Sequence, residues 1–102
     1  MMLRRDFQEG RIDQAGVEDA IDQAVGDANL AWPIIRKAAR AACEGRISIN
    51  WLARALVTIR NGRQTGRIKC PGSYFVISLK GQFRREGVPW NEAEWPDERK
   101  QA

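Results

Sequence analysis

The stretch from Arg46 to Arg85 constrains the fold most, because it combines much of the chain's bulky apolar content with nine Lys or Arg residues and no Asp or Glu. Its apolar side chains have to be buried together, whereas its cations have to remain in water. We therefore expect amphipathic elements with a cationic outer surface. A polyanion is the simplest source of counter-charge for such a surface, since each neutralised phosphate releases condensed counterions.

The length and composition indicate one globular domain with a modest core. The chain has 102 residues, of which 43% are hydrophobic and 29% charged. No apolar run approaches the ~18 residues of a membrane-spanning helix. The arginines near the N-terminus are not followed by the hydrophobic segment of a signal peptide. We therefore expect a cytoplasmic protein without a membrane partner.

Charge and pattern divide the chain into three parts. The central residues 36–85 hold twelve Lys or Arg and one Glu, whereas acidic residues outnumber basic ones on both sides. Such asymmetry predicts a basic working surface between acidic segments. We expect a flexible N-terminal arm over 1–12, a helical domain over 13–87 and an acidic tail containing Trp and Pro over 88–102. Trp90 and Trp95 are expected to fold back from this tail onto the core.

Apolar residues recur at three- and four-residue spacing in three segments of the first 60 residues, a pattern typical of amphipathic helices. The predicted helices span 13–29, 32–44 and 48–60. Their expected N-terminal residues are Asn29 with Pro33 for the second helix, and Ser48 or Asn50 for the third. Asn61-Gly62 is expected to end the third helix, which leaves 62–70 as an exposed basic loop.

Residues 70–86 are compatible with two structures. Alternation from Tyr74 to Leu79, after a Pro71-Gly72 turn, fits the β-hairpin of a winged helix. A helical pattern places Phe75, Val76, Leu79 and Phe83 on one face and continues to Gly87, beyond the point where the strand pattern fails. We favour the helix, so the predicted fold is mainly α, a compact single-domain bundle of about four helices. The winged-helix hairpin remains the alternative.

The residue types present argue against catalysis. The chain has no histidine, the commonest general base and a common metal ligand. Its two cysteines, Cys43 and Cys70, are expected to be reduced, buried, small apolar residues, with a disulfide as the alternative. We therefore expect a protein that is not an enzyme and has neither a metal nor another cofactor.

The remaining candidate chemistry is a basic surface that binds nucleic acid. Arginine suits it, because its planar fork matches phosphates and guanine edges. Tyr74 is expected to pack against the protein, although an exposed ring would be able to stack on an unpaired base. The alternative is an arginine face that is merely solvated. The candidate nucleic-acid-binding residues are Arg54, Arg60, Arg63, Arg67, Lys69, Ser73, Lys80 and Arg84.

Residues 67–85 contain Cys-Pro-Gly-Ser-Tyr-Phe followed by Leu-Lys. This segment resembles a short pattern of bacterial plasmid- and phage-type replication initiation and helicase-loader proteins. In those proteins Asn or Ser precedes Pro-Gly-Ala-Tyr-Phe or Pro-Gly-Ala-Tyr-Leu; here Cys70 replaces the Asn or Ser, and Ser73 replaces the Ala. The resemblance implies a helix over 70–86 and a role that touches DNA or a replicative helicase.

These observations together predict a non-catalytic nucleic-acid-binding protein, with DNA favoured over RNA and a link to plasmid or phage replication. The alternative is a small adaptor of phage or mobile-element type without nucleic-acid binding. Such an adaptor would set its basic face against an acidic protein and use the tryptophans of the tail as a hydrophobic anchor.

Overall fold

A computed structural model describes residues 13–95, so the arm predicted over 1–12 and the end of the tail over 96–102 lie outside the described residues. Four α-helices follow one another: α1 (Gln14–Val25), α2 (Trp32–Cys43), α3 (Ile49–Thr65) and α4 (Pro71–Arg85), and a short 3₁₀ helix (Glu92–Glu94) comes after them. Residues 13–95 contain no strand. The prediction of a mainly α bundle is confirmed, and the hairpin alternative is wrong.

The core is built from one face of each helix, with α1 packed against both α2 and α3. Phe75, Leu79 and Phe83 recur every four residues on α4 and are buried, whereas Ile77 is 72% exposed. Strand alternation would have put Ile77 on the side of Phe75, which explains why the hairpin fails. The largest fully buried side chains are Phe75, Phe83, Ile21, Ile35, Ile47, Leu52, Leu56, Ile59, Leu79, Val17 and Val25.

The ends of α1 and α2 differ from the predicted boundaries. Gly26 adopts a left-handed conformation, φ 59°, and α1 ends at Val25, four residues before the predicted end. Asn29 does not cap α2: its backbone N–H donates to Asp27 Oδ1 at 2.9 Å, and the residue before the helix is Ala31, which makes no side-chain cap bond. Pro33 lies in the first turn, as predicted.

Helix α3 begins as predicted but does not end at Gly62. Ser48 caps it by accepting from the backbone N–H of Trp51 at 3.2 Å. The helix continues to Thr65 and ends at Gly66, which has φ 77°. Gly62 is buried inside the helix because Ile68 packs directly on it, and the Ile68 N–H donates to the Gly62 carbonyl at 3.1 Å. The exposed loop is therefore shorter than the predicted 62–70.

Helix α4 receives its N-terminal cap from a distant part of the chain. Cys70 precedes the helix and makes no side-chain cap bond. Asp27 Oδ2 accepts from the backbone N–H of Gly72 at 2.9 Å instead. A Cβ on Gly72 would lie 2.5 Å from that oxygen, so the cap requires glycine there. Both cysteines are free, but Cys70 is exposed and Cys43 only half-buried, so the prediction of burial is wrong for Cys70.

Replacing Asp27 by Ala is expected to lower the free energy of unfolding by about 1 kcal/mol, because the N–H of Gly72 loses its acceptor. Thermal or urea unfolding followed by circular dichroism measures the change. Asp19→Ala is the matched control, since Asp19 is an exposed acid of α1 without a cap role. Equal stability of the two variants would contradict the role assigned to Asp27.

The segment after α4 folds back onto the core, as predicted for Trp90 and Trp95. Trp95 is 8% exposed, and its indole N–H donates to the carbonyl of Pro89 at 2.7 Å. The Phe83 ring centroid lies 5.2 Å from that of Trp90 and 6.1 Å from that of Trp95. These contacts give residues 88–95 a part in the hydrophobic interior.

Candidate nucleic-acid interface

A groove runs between α3 and α4 and consists of two adjoining cavities of about 210 and 400 Å³. Thr58 and Tyr74 line both cavities. Arg54 and Ser78 line the first, and Arg67 lines the second. We call this feature the α3–α4 groove. Trp51, Ala55, Asn61, Gly62, Thr65 and Ile68 complete its walls.

The helical period of α3 positions the polar wall of the groove. Thr58, Asn61 and Thr65 follow one another at three- and four-residue spacing and therefore share one side of the helix. Arg54 lies one turn before Thr58. Arg67 follows the glycine that ends α3. The two arginines thus belong to different cavities, and Tyr74 lies between them.

The two arginines of the groove are available to an external anion. Arg54 and Arg67 are both exposed. Neither makes an ion pair with a carboxylate within residues 13–95. No N–H group of these two guanidinium groups is bonded to another group within residues 13–95. Their donors are therefore available to a negatively charged partner in the groove.

Three of the eight predicted site residues lie at other identified places on the protein. The guanidinium of Arg63 packs over Gly26 at the end of α1. Ser73 lines a different cavity, on the side of the α1–α2 connection. Lys80 Nζ lies 5.3 Å from the ring centroid of Trp90, whose ring also has Lys37 Nζ at 3.9 Å.

The other three predicted residues, Arg60, Lys69 and Arg84, are exposed but are not among the lining of the α3–α4 groove. The structure therefore brings two of the eight candidates, Arg54 and Arg67, into one groove. The remaining six are distributed over other parts of the surface.

Two further cations of the basic region have counter-charge inside the protein. Arg40 and Arg46 each bond to Glu44 at 2.7 Å, and Arg40 also lies 3.3 Å from Glu92. Burial would raise the pKa of Glu44, but the bonds from the two guanidinium groups outweigh it and lower the pKa. Their guanidinium carbons lie 5.2 and 4.9 Å from the ring centroid of Trp95. The pairing links α2 to the segment after α4. Because Glu44 and Glu92 partly neutralise Arg40 and Arg46, these two arginines contribute less positive charge to the surface than Arg54 and Arg67 do.

Sequence reasoning missed part of the polar lining of the groove. A helix that ends at Asn61-Gly62, as the sequence predicts, does not place Thr65 on the side of α3 that holds Thr58 and Asn61. Extending the three- and four-residue spacing through Gly62 would have shown that they share a side. The sequence predicts that Tyr74 packs against the protein, but its side chain is 44% exposed.

Within residues 13–95, no three His, Cys, Asp or Glu side chains form a group that could hold a metal ion. Of the helices in this described region, none is sufficiently long and apolar to cross a bilayer. No protein-family model matches the chain, and comparisons with curated proteins and with solved structures found no similar protein.

Proposed function

We propose that the protein is a non-catalytic nucleic-acid-binding protein, most suited to DNA, and that the α3–α4 groove is its interface. The observation that carries the proposal is the pair Arg54 and Arg67. Both are exposed, neither has counter-charge within residues 13–95, and they belong to the two adjoining cavities of one groove. A phosphate backbone lying along the groove would neutralise both.

The chemistry of the groove suits contact with a phosphate–sugar backbone. Guanidinium groups bind phosphate oxygens through charge-assisted hydrogen bonds. The hydroxyl groups of Thr58, Thr65 and Ser78 and the amide of Asn61 add donors of the kind that contact phosphate and sugar. Such contacts position a nucleic acid without reading its sequence, so we expect binding that depends on salt more than on sequence.

The resemblance of residues 67–85 to replication initiation and helicase-loader proteins supports a narrower form of the proposal. It links DNA binding by this protein to the replication of a plasmid or phage. A DNA partner of that kind is met in the cytoplasm, where we expect the protein to act.

Charge removal at the groove tests the proposed function. Labelled DNA is titrated with the wild type, Arg54→Gln and Arg67→Gln at several salt concentrations. Each variant is expected to bind every DNA sequence more weakly, and the slope of log K against log salt should become shallower by about 0.7–0.9 per lost phosphate contact.

Arg36→Gln is the matched control, because Arg36 is an exposed arginine of α2 outside the groove. It removes the same charge and should change the slope much less. Wild-type protein that shows no salt-dependent DNA binding would refute the proposed function. If all three substitutions changed the DNA affinity and the salt slope equally, the groove would not be the interface.

A second candidate function, the protein-interaction adaptor, is favoured by a separate cavity of about 360 Å³. It lies between the α1–α2 connection and α4, and its apolar walls include Leu30, Ile34 and Val76 beside the exposed Ile77. The expected tryptophan anchor is engaged inside the chain, since Trp95 is buried. The DNA titration separates the two candidates, because an adaptor without nucleic-acid binding gives no salt-linked signal.

A further inference from the structure

Tyr74 is an exposed aromatic residue of the α3–α4 groove, whereas Trp51 in the same groove is partly buried against the core. Tyr74 is 44% exposed although it lines both cavities. Toward residues 13–95 its ring makes no aromatic or cation–π contact and its hydroxyl makes no hydrogen bond. Trp90 and Trp95 differ, because Phe83 and nearby cations contact both of their rings.

We propose that Tyr74 is a stacking platform for an unpaired base, so that the groove takes single-stranded DNA in preference to duplex. This inference rests on the proposed function and names the form of nucleic acid that the groove binds. It follows from the place of Tyr74 in the walls of both cavities, one lined by Arg54 and the other by Arg67, so an aromatic surface and two cations suited to phosphate share one groove.

The physical reason for the preference is access to the face of a base. In a duplex each base face is covered by the neighbouring base pairs. The ring of Tyr74 therefore finds no free base face to stack on when a duplex lies along the α3–α4 groove. An unpaired strand presents its bases to aromatic side chains while cations follow its backbone. Trp51 lines the first cavity together with Tyr74 and supplies a second aromatic wall.

The size and polarity of the groove fit this ligand. The larger cavity has a volume of about 400 Å³, which falls within the range of ligand-binding clefts. The side chains of Thr58 and Asn61 lie in the same lining and offer hydrogen bonds to the sugar–phosphate backbone beside a stacked base. Stacking tolerates any base, so we expect little dependence on sequence.

The test compares binding of labelled oligo(dT) and of a blunt DNA duplex of equal length. The wild type is expected to favour oligo(dT). Tyr74→Leu keeps a bulky apolar side chain on the helix but removes the aromatic face, and it should weaken oligo(dT) binding about tenfold while changing duplex binding little. Tyr74→Phe should bind like the wild type. The salt slope should be unchanged in both variants, because no charge is removed.

Ile77→Ala is the matched control, since Ile77 is also exposed on α4 but lines the other cavity. It should leave both affinities unchanged, and circular dichroism verifies the fold of each variant. Stacking on Tyr74 is refuted if the wild type binds both ligands in a salt-dependent manner and Tyr74→Leu binds each of them as tightly as the wild type does. The proposed function stands in that case. If the wild type binds neither ligand, the proposed function and this inference both fail.

Discussion

Substituting Trp95 by Ala is expected to lower the free energy of unfolding by about 3–5 kcal/mol, the range for removing a large buried aromatic side chain. Trp95 is 8% exposed and contacts the ring of Phe83. The guanidinium groups of Arg40 and Arg46 lie against its ring. The substitution leaves a cavity and also removes the bond to the Pro89 carbonyl, so several contacts are lost together.

Urea unfolding of the full chain measures this change. Trp32→Ala is the matched control, because Trp32 is 43% exposed at the start of α2 and should cost less than about 1 kcal/mol. If Trp95→Ala were as mild as Trp32→Ala, residues 88–95 would be an appendage whose packing does not stabilise the bundle.

The four helices were predictable from the sequence because their signal is local. Each helix shows its buried face as a three- to four-residue spacing, and on α4 that spacing extends from Phe75 to Phe83, farther than the strand pattern. The ends were less predictable, because contacts distant in sequence decide them. Asp27 caps α4 across 45 positions, and no short window around Gly72 contains that information.

The candidate site was predictable in charge but not in geometry. The acid-free stretch correctly singled out exposed arginines such as Arg54 and Arg67. Composition does not indicate which cations find counter-charge, and Arg46 belongs to the same stretch yet bonds to Glu44 just outside it. The groove itself arises from the packing of α3 on α4, so its lining depends on contacts between helices.

Gly62 and Gly81 both lie inside helices. We nevertheless expect replacement by Ala to change the free energy of unfolding in opposite directions at the two positions. In an open helix position Ala is favoured over Gly by about 0.5–1 kcal/mol. A Cβ on Gly81 would meet nothing within 4 Å, so Gly81→Ala should stabilise the protein by that amount.

A Cβ on Gly62 would instead lie 2.6 Å from Ile68 Cγ1, closer than real side chains approach. Rotation about χ1 would move Cγ1 but not Ile68 Cβ, which would lie 3.3 Å from the new methyl group, and the bond from the Ile68 N–H to the Gly62 carbonyl holds the backbone in place. Relieving the overlap requires shifting the turn after α3, and overpacking of this kind costs about 1–3 kcal/mol. Gly62→Ala should therefore lower the free energy of unfolding, and parallel urea titrations of both variants measure the opposite signs. Stabilisation by Gly62→Ala would show that Ile68 does not pack on Gly62 and would contradict the position that the turn after α3 gives to Ile68 and Arg67 in the groove.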